Sequence, residues 1–161
     1  MIVHCDGSCF WKDKRMGVGI AFFEDENYSP FKEEAIAIIG LGSSNEAEYH
    51  AILQALYVII NMSYLFPKNC EFLICSDSEI VTHQITGYYR CNKETLQKYL
   101  KEVLSLVVII EKDHIVNFQW IPRTDKRQQI VDLLSKKANP YFNERIIIDR
   151  KHIKLKNEYL G

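Results

Sequence analysis

A chain of 161 residues, 47% hydrophobic and 25% charged, can bury a core of its own and is too apolar to remain unfolded. Its formal net charge of −1 does not advertise a nucleic-acid binder, so any such partner has to be held by local features. The start, Met1-Ile2-Val3-His4-Cys5-Asp6, lacks the basic and apolar regions of a signal peptide, and the longest apolar run, 104–110, contains a serine and is too short to span a bilayer. Cys5, Cys9, Cys70, Cys75 and Cys91 are an odd count with no Cys-x-x-Cys pair, which reads as reduced thiols in a cytoplasmic protein.

Residues 2–6 read as a short strand ending in an acid, with the turn at Gly7-Ser8 and a polar segment at 12–15. Residues 17–23 and 34–41 read as second and third strands around a turn-like 24–30, so the first three strands suggest an antiparallel meander. A helix over 44–61 follows and ends before Pro67. At about 100° per residue its apolar stripe, centred on Ile52, takes in Ala55, Leu56 and Ile59, and also Glu48. Glu46 points to nearly the opposite side, three residues after Ser43, where a capping box uses it.

Residues 71–75 form a compact apolar run, the mark of a central buried strand, and it too ends in Ser76-Asp77. A short helix over 78–87 is expected next, with Ser76 or Asp77 as its N-cap. Leu96, Leu100, Val103, Leu104 and Val107 space out a second long helix, 115–121 is a strand broken by Pro122, and Ile130, Leu133, Leu134 and Ala138 mark a last helix closed by Asn139-Pro140. Asp132 falls opposite that last stripe. The order β-β-β-α-β-α-α-β-α predicts an α/β fold: a mixed five-stranded sheet, three antiparallel strands then two parallel, with helices on both faces. Residues 1–139 make one domain. Residues 140–161 form a basic tail, with Arg145, Arg150, Lys151, Lys154 and Lys156 around Ile146-Ile147-Ile148 and Ile153, that is able to add a strand or hairpin.

The acids are the part of this pattern that carries chemistry. In a sheet with parallel members, the carboxyl ends of neighbouring strands form the rim where ligands bind. Pairing 71–75 beside 2–6 makes Asp6 and Asp77 neighbours, and Glu48 faces them from the packed side of the first helix. Three carboxylates gathered there repel one another unless divalent metal neutralises them. Hard oxygen ligands without a nearby His or Cys set favour Mg²⁺ or Mn²⁺. Two such ions roughly 4 Å apart suit in-line phosphodiester cleavage, one activating water and the other stabilising the leaving oxygen.

With those residues in view, the chain resembles the type 1 ribonuclease H family over most of residues 1–139. Asp6-Gly7-Ser8-Cys9 is similar to its first-strand motif and Gly17-Val18-Gly19 to its glycine-rich second strand. Ser44-Asn45-Glu46-Ala47-Glu48 resembles Asn-Asn-x-Ala-Glu, and Ser76-Asp77-Ser78 matches Thr/Ser-Asp-Ser. Trp120-Ile121-Pro122-Arg123 and Asp132-Leu133-Leu134 look like its last strand and helix, where Trp-Val-Pro-Arg precedes Ala-Asp-x-Leu-Ala. Five weak motifs in order make a strong one.

The resemblance implies a ribonuclease H, an endoribonuclease that cuts the RNA strand of RNA/DNA hybrids and leaves 5′-phosphate and 3′-hydroxyl ends. It implies Asp6, Glu48, Asp77 and Asp132 as the four catalytic, metal-binding acids, and two Mg²⁺ or Mn²⁺ ions as cofactors. It adds Asp132, which periodicity alone does not choose. On the substrate side it implies Gly7, Ser8 and Cys9 against the RNA minor groove, where 2′-hydroxyls distinguish RNA. It places Asn45 on bases or sugars, Ser43 on a DNA phosphate, Ser78 beside the metal-binding Asp77, Tyr88 (or Tyr89, one residue on) in the DNA-strand channel, and Arg123 or Lys126 near the leaving group.

The chain also departs from the family pattern. Ser44 and Glu79 replace amides, Arg90-Cys91-Asn92-Lys93 runs on without a basic protrusion, and no histidine lies between Ile121 and Asp132. Arg15, Lys136, Lys137 and the tail then become the candidate positive contacts. The expected partner is RNA/DNA hybrid, with no membrane and no obligate protein partner, for a monomer. Alternatives are a non-cleaving hybrid or double-stranded RNA binding module of this fold, and a phosphatase or other nuclease using the same metal site. The absence of an Asp-x-Glu pattern at the first-strand acid disfavours the fold's 3′–5′ exonuclease branch.

Overall fold

The computed structural model describes residues 1–10, 12–24 and 28–138, and the backbone of 146–149. Asn139-Pro140 and the basic tail positions Arg145, Arg150, Lys151, Lys154 and Lys156 lie outside the described residues. In chain order come β1 (Ile2–Cys9), β2 (Arg15–Phe23), β3 (Lys32–Leu41), α1 (Ser44–Met62) with a 3-10 turn at Ser63–Leu65, β4 (Glu71–Ser76), α2 (Glu79–Ile85), α3 (Glu94–Ile110), β5 (Ile115–Trp120), α4 (Lys126–Ala138) and β6 (Ile146–Asp149). The sheet order is β5-β4-β1-β2-β3-β6. β1, β2 and β3 pair antiparallel, while β4 runs parallel to both β1 and β5. The expected mixed five-stranded sheet is therefore present. β6 extends it, antiparallel to β3 from Ala35↔Ile146 to Lys32↔Asp149. Among the described residues no helix is long and apolar enough to cross a membrane.

Strand alternation sends the side chains of β2 to two cores. Val18, Ile20 and Phe22 join residues of α1 and α3 on one face, while Ala21 and Phe23 join Ala35 and, from α4, Val131, Leu134 and Ala138 on the other. Helix α1 starts at a complete capping box: the Ser43 hydroxyl accepts from Glu46 N, and the Glu46 carboxylate accepts from Ser43 N at 2.6 Å. Its buried set includes Ile52, Ala55, Leu56, Ile59 and Glu48, as the stripe predicts. Tyr49 and Leu53 are buried as well, because α3 covers part of the helix that the sheet does not.

Four local expectations are corrected. First, β1 does not turn at Gly7-Ser8; it continues to Cys9, with Gly7↔Val18, Ser8↔Gly17 and Cys9↔Met16 paired to β2. The parallel ladder to β4 stops at His4↔Cys75, so the two strands part just before Asp6. Gly7 is a packing glycine: a Cβ there would lie 2.2 Å from the carbonyl carbon and oxygen of Ala47, at the start of α1. Second, the cap of α2 is Ser78, whose Oγ accepts from Val81 N, not Ser76 or Asp77. Ser76 Oγ instead accepts from Ser78 N, which leaves the Asp77 carboxylate free of capping.

Third, α3 leaves Leu104 exposed and buries Leu106 and Ile110 in its place. Fourth, α4 buries Gln128, Val131, Leu134, Ser135 and Ala138, and leaves Leu133 68% exposed. Two of those buried residues are polar, so an apolar-only reading turns the helix the wrong way. Asp132 stands at the edge of the buried face, not opposite it. The helix can lie this close because Gly19 is beneath it: a Cβ on Gly19 would meet Val131 O at 2.3 Å and Ser135 N at 2.8 Å.

Gly7→Ala should accordingly push α1 off β1. We expect a loss of roughly 2–3 kcal/mol, as for overpacked cores, lowering the melting temperature by roughly 5–10 °C in a thermal unfolding experiment. An unchanged midpoint would mean that the helix start yields freely.

Candidate metal centre

β1, α1 and β4 each deliver one acid to the point where β1 and β4 diverge. One carboxylate oxygen from each of Asp6, Glu48 and Asp77 lies within 4.8 Å of the others, the metal-capable cluster found among the described residues. Asp6 is 4% and Glu48 8% exposed, and the Asp77 side chain is 5% exposed. The Gly7 N–H donates to Glu48 Oε2 at 3.2 Å, so the residue beside Asp6 also orients Glu48. The Ser135 hydroxyl donates to Asp6 Oδ2 at 2.5 Å. Arg123 Nε donates to Asp77 Oδ2 at 2.9 Å, and Trp120 Nε1 donates to the Asp77 carbonyl at 3.1 Å. Asp77 Oδ1 is buried with no partner among the described residues.

Removing these carboxylates from water penalises their charged forms. Burial pushes the Asp6 carboxyl up to about 7; the Ser135 hydrogen bond opposes this, and the charges of Asp77 and Asp132 add to it. Burial, followed by the charges of Asp6 and Asp77, raises Glu48 well above the usual carboxylate range, while the Gly7 N–H and Arg123 act the other way. Arg123 is the positive group against the cluster, and its side chain is 88% exposed. Hard oxygen donors packed this tightly, with one buried oxygen lacking any partner, suit a divalent cation.

The remaining predicted residues divide into those tied into the fold and those left at the surface. Asp132 is outside the three-acid cluster: its side chain is 42% exposed and pairs with Lys136 Nζ at 2.7 Å, although its charge reaches Asp6. Gly7 is packed under α1. Ser8 Oγ donates to the Ser135 carbonyl at 2.9 Å, Cys9 Sγ to the Gly42 carbonyl at 3.2 Å, and Ser43 and Ser78 cap helices. Asn45 is half-buried in the first turn of α1. Tyr88 is 81% exposed, with its ring edge against His83. Tyr89 donates to Glu79 Oε1 at 2.9 Å, so the acid that replaces an amide is held by a phenol. Of the candidate positive contacts, Arg15 is paired with Asp13, and Lys136 with Asp132.

Three residues support the site without being assigned a role by the motifs: Gln128 lies outside them, and Trp120 and Ser135 stand at the ends of the last-strand and last-helix patterns. Gln128 is buried; its Nε2 donates to the Cys5 carbonyl at 3.0 Å and its Oε1 lies 3.1 Å from His4 Nδ1. Burial pushes His4 down to about 4, so the imidazole is neutral and can donate to that amide oxygen. Trp120 and Ser135 hold Asp77 and Asp6 directly. The available signal is Gln128 and Ser135 seven residues apart, two turns along one helix face.

The chain resembles known proteins in sequence pattern and in fold. The sequence pattern of RNase H matches residues 1–139. No curated protein matches the chain. Among solved structures, LC11-RNase H1 in complex with an RNA/DNA hybrid, a protein isolated from compost by a metagenomic approach, is similar with a TM-score of 0.75 and 22% identity over 86% of this chain and 95% of that one. RNase H1 from the halophilic archaeon Halobacterium salinarum NRC-1 gives 0.72 and 20% over 85% and 95%. The N-terminal RNase H domain of a Mycobacterium tuberculosis protein gives 0.71 and 22% over 85% and 91%. At such identities the structural likeness is one of fold, and the sequence match extends it to kinship. The chain belongs to the RNase H family.

Proposed function

We propose that this protein is a metal-dependent endoribonuclease that hydrolyses the RNA strand of RNA/DNA hybrids. The observation that carries the reading is the cluster of Asp6, Glu48 and Asp77, buried within 4.8 Å of one another, in a member of this family. These three acids hold the cations, and Asp132 completes the set from α4. Two Mg²⁺ or Mn²⁺ ions, when bound, supply water activation and stabilisation of the leaving oxygen, giving 5′-phosphate and 3′-hydroxyl ends.

The chain's own groups orient the reacting parts. The Gly7 N–H fixes Glu48, Trp120 anchors the backbone of Asp77, and Arg123 exchanges its bond to Asp77 for the phosphate near the leaving group. That last role is assigned to Arg123 because the loop after β5 has no histidine. The surface around the acids takes the hybrid: the backbone edge at Gly7, Ser8 and Cys9 with Asn45 on the RNA groove, and Ser43, Ser78 and Tyr88 along the paired strands. Residues 1–139 act as the catalytic unit, as a cytoplasmic monomer without a basic protrusion, and residues 140–161 are accessory.

A second reading, a hybrid-binding module that does not cut, is favoured by Glu79, an acid secured by Tyr89 where the family pattern has an amide. Labelled RNA/DNA hybrid, double-stranded RNA, single-stranded RNA and double-stranded DNA, each offered with Mg²⁺ or Mn²⁺, separate the two. Cleavage confined to the RNA strand of the hybrid is expected. Tight hybrid binding without cleavage under either metal would leave the binding module standing.

A further inference from the structure

We propose that Ser135 is a positioning residue of the metal centre, whose hydroxyl locks the Asp6 carboxylate and joins it to the helical turn that carries Asp132. The proposal rests on the functional reading above and concerns a side chain of this chain's own, a serine where the last-helix pattern Ala-Asp-x-Leu-Ala ends in alanine. Ser135 is fully buried on α4, and its Oγ donates to Asp6 Oδ2 at 2.5 Å while lying 2.9 Å from the Asp132 carbonyl. A hydroxyl has one proton, and the short contact to the carboxylate takes it as a charge-assisted bond. The approach to the carbonyl three residues earlier fixes the rotamer of a helical serine. One hydroxyl thus stands between an acid on β1 and the backbone of an acid on α4.

The serine itself is held from three sides. Ser8 Oγ donates to its carbonyl at 2.9 Å. Its backbone nitrogen packs where a Cβ on Gly19 would come within 2.8 Å, and Gly19 is the register partner of Asp6 on β2. Gln128, two turns earlier on the same face, donates to the carbonyl of Cys5, the residue before Asp6. The helix face bearing Ser135 is therefore clamped to β1 on both sides of Asp6. With Oδ2 secured, the Asp6 carboxylate is held against rotation while it contributes an oxygen within 4.8 Å of those of Glu48 and Asp77. A helical serine that merely satisfies its own turn requires no carboxylate from another element, and here it has one.

Groups that orient a metal-binding carboxylate in this way typically cost about 10- to 100-fold in metal affinity when removed. Mn²⁺ binding followed by calorimetry and by the resonance of free Mn²⁺, together with metal-free thermal unfolding and hybrid cleavage across a metal titration, tests this on wild type, Ser135→Ala and Ser135→Thr. Alanine is the best helix former and smaller than serine by one oxygen, so α4 is retained. We expect Ser135→Ala to keep a metal-free unfolding midpoint near wild type, to bind Mn²⁺ roughly 10-fold or more weakly, and to recover most of kcat at saturating metal. Ser135→Thr, which restores a hydroxyl, should regain affinity. Should Ser135→Ala not hold its fold, Ser135→Cys, which fills the site with a weaker donor, must show the same weakening. Wild-type Mn²⁺ affinity in the hydroxyl-less variant overturns the proposal, as does a lower kcat at saturating metal with unchanged affinity. A wild-type protein that binds no Mn²⁺ overturns the functional reading and this proposal with it.

Discussion

Asp77→Asn should reduce cleavage of an RNA/DNA hybrid by roughly a thousandfold or more while leaving the protein folded. Asp77 is the acid with the most open coordination: Oδ1 is buried and unpaired, and Oδ2 has only an exposed arginine. Asparagine keeps the shape but loses the charge that would hold a cation, and its amide turned toward Arg123 would set donor against donor. A thousandfold corresponds to roughly 4 kcal/mol of transition-state stabilisation, within what bound metal supplies. The backbone is unaffected, since Trp120 bonds the Asp77 carbonyl and Ser78 caps α2 whatever the side chain at 77. Single-turnover cleavage of labelled hybrid under Mg²⁺ and Mn²⁺ measures the effect. A variant within about tenfold of wild type would remove Asp77 from the catalytic machinery.

Glu48→Gln should stabilise the metal-free protein at pH 7.5 and abolish its response to metal. The sign follows from the two ends of the titration. The Asp6 carboxyl is raised from an ordinary 3.8 to about 7, so it binds a proton more readily in the folded chain than in the unfolded one. Its contribution to stability is full below 3.8 and is lost as pH rises through 7. At about 1.4 kcal/mol per pH unit that loss is roughly 4 kcal/mol, and Glu48 acts in the same direction. His4 acts oppositely: burial lowers it from 6.5 to about 4, so its contribution is present above 6.5 and lost as pH falls toward 4. Comparing Glu48→Gln with wild type cancels His4, which both contain.

Glutamine still accepts the Gly7 N–H through its amide oxygen and avoids the cost of burying a carboxylate beside Asp6 and Asp77. We expect its metal-free melting temperature to exceed that of wild type by roughly 5–8 °C at pH 7.5, or about 2 kcal/mol, with the difference vanishing near pH 4. Mg²⁺ or Mn²⁺ should then raise wild type alone, reversing the order. Scanning calorimetry across this pH range, with chelator and with metal, decides it. A Glu48→Gln variant that melts below wild type without metal would mean that Glu48 serves packing before it serves a cation.

Both expectations depend on how well the acids can be identified, and that differs from one to the next. Glu48 is legible because helical periodicity is local. The capping box at Ser43 and Glu46 sets the phase of α1, and the residue left on the apolar stripe must be explained. The adjacency of Asp6 and Asp77 is legible one step further out, since β-β-β-α-β order makes β1 and β4 parallel neighbours. Gly7 is not, because glycine signals a turn and a close approach equally, and nothing in residues 5–9 tells which. That Ala47 comes down on it is a fact about α1. Asp132 is the weakest case: Gln128 and Ser135 take places in the buried face of α4 that apolar counting assigns to Leu133.

By itself, then, the amino-acid order determines what repeats or caps over a few residues: the element order, the mixed sheet, the start of α1, and a carboxylate on a buried stripe beside two strand acids. Those features are set by backbone geometry with periods near two and 3.6 residues, which any short window contains. The tertiary structure decides which polar groups meet the acids. The parting of β1 from β4 after His4, the seating of α4 on Gly19, and the junction of Asp6 with Ser135 across 129 positions depend on surfaces far apart in the chain. The physical reason is that a buried polar side chain has no fixed sign in sequence. Ser135 reads as surface until the helix packs, and once α4 closes over β1 it becomes the donor that Asp6 requires.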